Sequence, residues 1–299
     1  MSETIEKIRL ADGTTNMYRH FDGYITAEVS VTRVLTIPRT VLDLDKTLNC
    51  GQTFLWQKVD NAWYGFIMNS LVKLSQTDDE ITVTGNVSEL GFRFYFDLNT
   101  QYEFTHLSEF EQRCVDAGQG IRILRQPFLE CLITFIISQN NNMVRIRNSL
   151  IKLCENYGTW IQLGDHVQHM FPAPPTLFRL SIDNWKELGV GYRAEYLHAF
   201  FHEYPIDSKL FLDYMMGQSE ATLAESIRDL KKIRGVGPKV ASCVALFSFH
   251  HLNALPIDTH ITKILNEHRD ITLPRPDGLD GVMQQYMFYY DAFSKGEVP

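Results

Sequence analysis

The sequence predicts an α+β fold, with an N-terminal antiparallel β-sheet domain over residues 1–118 and a mainly α-helical body over 119–299. Three observations carry this. From about residue 24 to 98, apolar and polar residues alternate in short runs broken by polar turns, the pattern of half-buried strands. Beyond residue 119 the apolar spacing lengthens to that of helices, as in Phe128, Cys131, Leu132, Phe135 and Ile136. Within this second part, Gly235-Val236-Gly237-Pro238 interrupts two apolar-faced stretches and gives helix, tight hairpin, helix over about 219–250.

Taken in order, Tyr24 to Leu35 alternates, and Leu71-Val72-Lys73-Leu74, Thr77-Asp78-Asp79-Glu80 and Ile81-Thr82-Val83-Thr84 read as strand, polar turn, strand. Between them, Asn49-Cys50-Gly51-Gln52-Thr53-Phe54-Leu55-Trp56 reads as a strand and a tight turn, with Phe54 and Trp56 in a core. A helix is expected over 103–117. The helix that starts at Phe128 is interrupted by Ser138-Gln139-Asn140-Asn141-Asn142, because asparagines cap helices and form turns. Met143, Ile146 and Leu150 begin the next one. Pro172, Pro174 and Pro175 mark a loop before a short helix at Asp183 to Leu188. Gly189-Val190-Gly191-Tyr192-Arg193-Ala194 opens another helix, a weak phosphate signal by itself. Near the C-terminus, Gln284 and Phe288 share one helical face at i, i+4.

The hairpin carries the chemistry. Leu223, Ile227 and Leu230 give one apolar helix face, and Pro238 suits the first position of the following helix, where a missing N–H costs nothing. Gly235 and Gly237 permit a sharp turn and a close approach, and the free N–H groups at the new helix start attract a phosphate. Lys239 sits in that first turn, where the positive end of the helix dipole disfavours a second positive charge. A free amine there is a nucleophile able to form a Schiff base. Asp258 follows nineteen residues later, after Pro256 and Ile257. Singly, Lys239 reads as a solvated surface charge and Asp258 as the N-cap of Thr259-His260-Ile261. Hairpin, lysine, spacing and aspartate together point to a DNA clamp with a reactive amine built into it.

Composition bounds the rest. With 299 residues, 44% hydrophobic and 21% charged, the chain is neither disordered nor fibrous. A net charge of −8 counts against a nonspecific nucleic-acid binder, but residues 228–263 hold six basic side chains against two acidic ones, a local patch able to steer DNA. Cys50, Cys114, Cys131, Cys154 and Cys243 lie far apart and are expected as reduced thiols. The start of the chain carries acids early and no signal-like apolar core. The expected location is inside the cell, in a bacterial cytoplasm or, in a eukaryote, the nucleus, with no membrane contact.

The hairpin, its terminal lysine and the Pro-x-Asp approach resemble the helix-hairpin-helix DNA glycosylases. From about Asn49 to Phe293 five motifs in order resemble the 8-oxoguanine DNA glycosylase/AP lyase family. That resemblance implies Lys239 and Asp258 as catalytic residues. It also implies a base slot of Gly51, Cys243, Gln284 and Phe288, with the Gly51 carbonyl touching the damaged base. Asn140 would fill the gap left by the extruded base, Tyr192 would wedge beside the opposite base, and Arg145 and Arg193 would read it, with cytosine preferred. Gly235, Gly237 and His260 complete the DNA-contacting set. The implied reaction excises 8-oxoguanine from duplex DNA and cleaves the strand by β-elimination, through a Schiff base, with no cofactor or metal and as a monomer. Related enzymes often hold an iron–sulfur cluster on four cysteines after the aspartate, whereas here no cysteine follows Cys243. A glycosylase for oxidised pyrimidines and a non-catalytic hairpin scaffold are the alternatives.

Overall fold

A five-stranded antiparallel sheet forms where the alternation predicts one. In the computed structural model, which describes residues 31–205 and 221–294 together with the backbone of three N-terminal strands, those strands are β1 (Glu3–Arg9), β2 (Thr15–Phe21) and β3 (Tyr24–Ala27), paired in that order. The larger sheet contains β4 (Val31–Thr36), β5 (Gln57–Val59), β6 (Ala62–Ile67), β7 (Ser70–Gln76) and β8 (Glu80–Gly85), in the order β4-β8-β7-β6-β5. The run from Tyr24 to Leu35 is therefore two strands in two sheets. Pairing of β7 with β8 through Leu74↔Val83 turns Leu74, Ile81 and Val83 to one face. There they meet α1 (Leu44–Asn49) and α2 (Glu89–Tyr95) through Leu44, Leu48, Phe92 and Phe96.

The second core belongs to the helices. These are α3 (Glu109–Gly118), α4 (Phe128–Ser138), α5 (Met143–Tyr157), α6 (Pro174–Leu177), α7 (Ile182–Glu187), α8 (Arg193–Glu203), α9 (Leu223–Leu230), α10 (Pro238–Phe247), α11 (Thr259–Glu267) and α12 (Asp280–Tyr289), which runs into a π-helical turn at Tyr290–Ser294. The first two residues of the expected 219–250 hairpin motif lie outside the described residues. A short antiparallel hairpin, β9 (Trp160–Leu163) with β10 (His166–His169), interrupts this helical part, and the sequence reading did not anticipate it. Among the described residues no helix is long and apolar enough to cross a membrane.

The two cores draw on interleaved stretches of the chain. Phe110 and Cys114 of α3 sit in the helical core, together with Cys50 and Phe54 from the sheet half. At Gly118 a side chain would meet the Tyr286 ring at 2.6 Å, so glycine lets α3 lie directly on α12. Charge ties the halves together as well. Asp97, just after α2, pairs with Arg125 at 2.9 Å, and its carboxylate lies 3.0 Å from the His250 ring, beyond α10. Arg275 is buried against Glu111 of α3 and bonds Asp277 at 2.9 Å, which fixes the approach to α12.

Candidate active site

The hairpin forms as its punctuation predicts. Thr222 and Glu225 close a capping box at the start of α9, Leu230 and Ile233 bury the turn, and Pro238 opens α10. The two glycines do different work. Gly235 has φ +84°, and a side chain there would meet the Tyr196 ring at 2.4 Å, so both backbone and packing require glycine. Gly237 has an ordinary extended backbone, and a side chain would meet no atom within 4 Å.

A cleft of about 730 Å³ opens at this helix start. It is lined by Gly51, Asn140, Gly237, Lys239, Asp258, His260 and Phe288, so residues from five separated stretches converge. Lys239 Nζ donates to Ser138 Oγ at 3.4 Å and stands 5.2 Å from the Phe135 ring centre. Asp258 caps α11 by accepting from the Ile261 N–H at 2.9 Å, while its carboxylate forms part of the cleft wall. The structure thus shows the capping duty and the site position in the same residue.

Cys243 lies buried behind Lys239. Burial pushes its thiol up to about 11, against the pull of the Lys239 charge and hydrogen bond and with the push of Asp258. Both groups are therefore within electrostatic reach of it. Gln284 is buried at 5% exposure, and its Oε1 has no hydrogen-bond partner among the described residues. A buried acceptor without a partner costs about 1–3 kcal/mol, which suits a group kept for a ligand. One turn on, Phe288 packs against Gly51, whose φ is +80° and whose side chain, if present, would lie 3.4 Å from that ring.

The Gly51 turn is held from several sides. Gln52 is fully buried, donates to the carbonyls of Thr47 at 3.0 Å and Arg122 at 2.8 Å, and accepts from the Leu124 N–H at 2.9 Å. Gln126 donates to the Gln52 carbonyl at 2.7 Å, and Gln285 of α12 donates to the Cys50 carbonyl. Sequence reading missed Ser138, Phe135, Met143, Gln52 and Gln285 as parts of this site. The signals available were the adjacency of Gln52 to Gly51, of Ser138 to the asparagine run and of Gln285 to Gln284.

The three asparagines separate by role. Asn142 caps α5 by accepting from the Arg145 N–H at 2.9 Å, and Asn141 donates to the Ile137 carbonyl at 3.0 Å. Asn140 is exposed at φ +45°, an unusual conformation for a residue other than glycine. Arg193 is only 7% exposed and donates to the carbonyls of Val190 at 3.1 Å, Asn140 at 3.1 Å, and Gln139. It thereby braces the Asn140 turn from below. Tyr192, by contrast, is 53% exposed, with Arg193 stacked 4.6 Å from its ring. Arg145 projects from the first turn of α5, and six of the expected site residues, Arg145, Tyr192, Arg193, Gly235, Cys243 and Gln284, do not line the cleft. His260 pairs with Asp291 at 3.1 Å and meets the Phe288 ring edge-on. The basic patch is weaker than its count, since Arg228 and Lys232 pair with Asp229 and Arg234 with Glu195.

Comparison with known proteins agrees with this geometry. Residues 34–132 match the family model described as 8-oxoguanine DNA glycosylase, N-terminal domain. The chain is 33% identical over 253 residues to N-glycosylase/DNA lyase OGG1 of Arabidopsis thaliana, covering 78% of this chain and 68% of that protein. It is 31% identical over 269 residues to N-glycosylase/DNA lyase of Saccharomyces cerevisiae, covering 80% and 71%. Among solved structures, the Clostridium acetobutylicum 8-oxoguanine glycosylase/lyase, in complex with dsDNA containing cytosine opposite to 8-oxoG, superposes with a TM-score of 0.73 at 26% identity and covers 99% of both chains. Similarity of this extent takes in both cores as well as the hairpin, and the chain belongs to the 8-oxoguanine DNA N-glycosylase/lyase family.

Proposed function

We propose that this protein excises 8-oxoguanine from duplex DNA, with cytosine preferred opposite the lesion, and then cleaves the abasic site through a lysine Schiff base. The observation that carries this reading is the convergence of Lys239, Asp258, Gly51, Phe288 and Asn140 on one cleft at the start of α10. Reaching a base inside a duplex requires extruding it, which costs a few kcal/mol of unstacking. Asn140, exposed on its tight turn, would fill the hole, and Tyr192 would wedge beside the opposite base.

In the pocket, oxidised guanine carries a hydrogen on N7 where guanine has a lone pair. A carbonyl acceptor at Gly51 rewards the first and leaves the second unpaired. The buried Gln284 acceptor supports a polar edge contact, and Phe288 supplies a flat apolar face. Lys239 Nζ would then bond to the sugar carbon C1′ as the glycosidic electron pair leaves with the base. The Asp258 carboxylate would balance positive charge building on the sugar. Opening of the C1′–O4′ bond, with a proton going to O4′, gives the Schiff base, and loss of a C2′ proton with departure of the 3′ phosphate then completes β-elimination. Gly237, where nothing in the protein would obstruct a side chain, fits a phosphate resting on the hairpin.

The test is incubation with duplexes bearing single defined lesions, followed by borohydride. A covalent adduct with 8-oxoguanine duplex is expected, and Lys239→Gln should abolish it while retaining DNA binding. Trapping that survives in Lys239→Gln, or that occurs only on oxidised pyrimidines, would overturn the assignment.

A further inference from the structure

Ser138 ends α4 and lies in the cleft wall. Its hydroxyl donates to the Phe135 carbonyl at 2.8 Å, which uses its only proton. What Ser138 presents to Lys239 Nζ, 3.4 Å away, is therefore a lone pair. The same nitrogen stands over the Phe135 ring, with the Cys243 thiol of its own helix within electrostatic reach. A neutral amine has two N–H bonds and one lone pair in tetrahedral arrangement. With one hydrogen held by Ser138 on α4, rotation about the Cε–Nζ bond is restricted, and so are the directions the lone pair can take in the cleft that both residues line.

We infer that Ser138 is a positioning residue that aims the Lys239 lone pair at the sugar carbon, an inference that rests on Lys239 being the nucleophile. In the step it serves, the Nζ lone pair forms the bond to C1′ while the C1′–N bonding pair leaves with the base, and one Nζ proton ends on the base. Ser138 also stands two residues before Asn140, on the segment whose Gln139 and Asn140 carbonyls Arg193 holds. The acceptor that orients the nucleophile and the side chain that replaces the extruded base therefore sit on one short, braced piece of backbone. Seating Asn140 in the duplex would place Ser138 at the same moment.

The experiment compares wild type, Ser138→Ala, Ser138→Thr and Lys239→Gln in the full chain, on duplexes carrying 8-oxoguanine opposite cytosine and on abasic duplexes. Single-turnover base release, borohydride trapping rate and DNA affinity are read separately. Ser138→Ala should slow trapping on both duplexes by roughly 10- to 100-fold, the scale of a misdirected reacting group, with affinity unchanged. Ser138→Thr, which keeps the hydroxyl, should restore most of the rate. Full-rate trapping by Ser138→Ala beside a dead Lys239→Gln would overturn the positioning role alone. Equal slowing of Ser138→Ala and Ser138→Thr, with weakened DNA binding in both, would assign Ser138 to helix structure and overturn it too. Undiminished trapping in Lys239→Gln would remove the nucleophile on which the inference depends.

Discussion

Asp258 caps α11 and, in the proposed reaction, also balances sugar charge, and one substitution separates the two duties. Asparagine caps helices as well as aspartate does, so Asp258→Asn should keep the Ile261 bond and change stability by less than about 0.5 kcal/mol. A neutral amide cannot balance sugar charge, so base release should fall roughly 10²–10³-fold. Thermal melts beside single-turnover rates check both halves of this expectation. The two arginines proposed to read the opposite base differ in the same analytical way. Arg193 spends donors on three carbonyls, so Arg193→Ala should destabilise the protein by about 3 kcal/mol and loosen the Asn140 turn. Arg145 is exposed, so Arg145→Ala should leave stability intact and cost roughly 1–3 kcal/mol of discrimination between cytosine and adenine. Equal losses with both opposite bases would make Arg145 a phosphate contact. That Lys239 and Asp258 share a cleft could be expected from the sequence because local spacing marks them as candidates. Ser138 and Gln285 were not legible, because their partners lie 101 and 235 residues away, and no local pattern encodes such a meeting.

At the scale of elements, the hairpin shows how two glycines in one motif answer to different constraints. Gly235→Ala combines a left-handed backbone with a collision against the Tyr196 ring and should cost about 2–5 kcal/mol. Gly237→Ala meets no protein atom and should leave stability within about 0.5 kcal/mol. Its added methyl stands where a phosphate would approach, so DNA affinity should fall at least about tenfold, the worth of one hydrogen bond to a charged group. Chemical denaturation and binding titrations on both variants test the contrast, and a destabilised Gly237→Ala would contradict it. The sequence made α4, α5, α10 and α12 legible because their apolar period is sustained. It did not mark β9 and β10, four residues each, since a short apolar run such as Trp160-Ile161-Gln162-Leu163 does not separate strand from helix. It placed a helix over 103–117 in the first part of the chain, and only the fold shows α3 lying on α12 through Gly118 and Tyr286.

Across the whole molecule, Asp97 joins the halves. Burial would raise its carboxyl, but hydrogen bonds from His250, Thr100 and Tyr102 and the charge on His250 outweigh that and hold it at about 2. An acid held below its unfolded value of about 3.9 stabilises the fold above that pH, and the contribution is lost as pH falls from about 4 toward 2. His250 is held below its ordinary value by burial, despite Asp97, so the unfolded chain takes up its proton first and stability also declines as pH drops below about 6.5. Both signs favour neutral over acid conditions. Urea melts at pH 7, 5 and 3 should show stepwise loss, and Asp97→Asn should cost about 3–5 kcal/mol at pH 7 and flatten the most acid step. The same segment from Arg122 to Gln126 that meets Asp97 also holds Gln52, and through it the Gly51 turn. For a turn proposed to read the base, being so fixed has consequences for time. Undamaged sites outnumber lesions by a factor on the order of 10⁶ or more, so the duration of a search depends on how briefly each wrong base is held. The more firmly the proposed Gly51 edge is held beforehand, the less rearrangement stands between a normal guanine and its return to the stack.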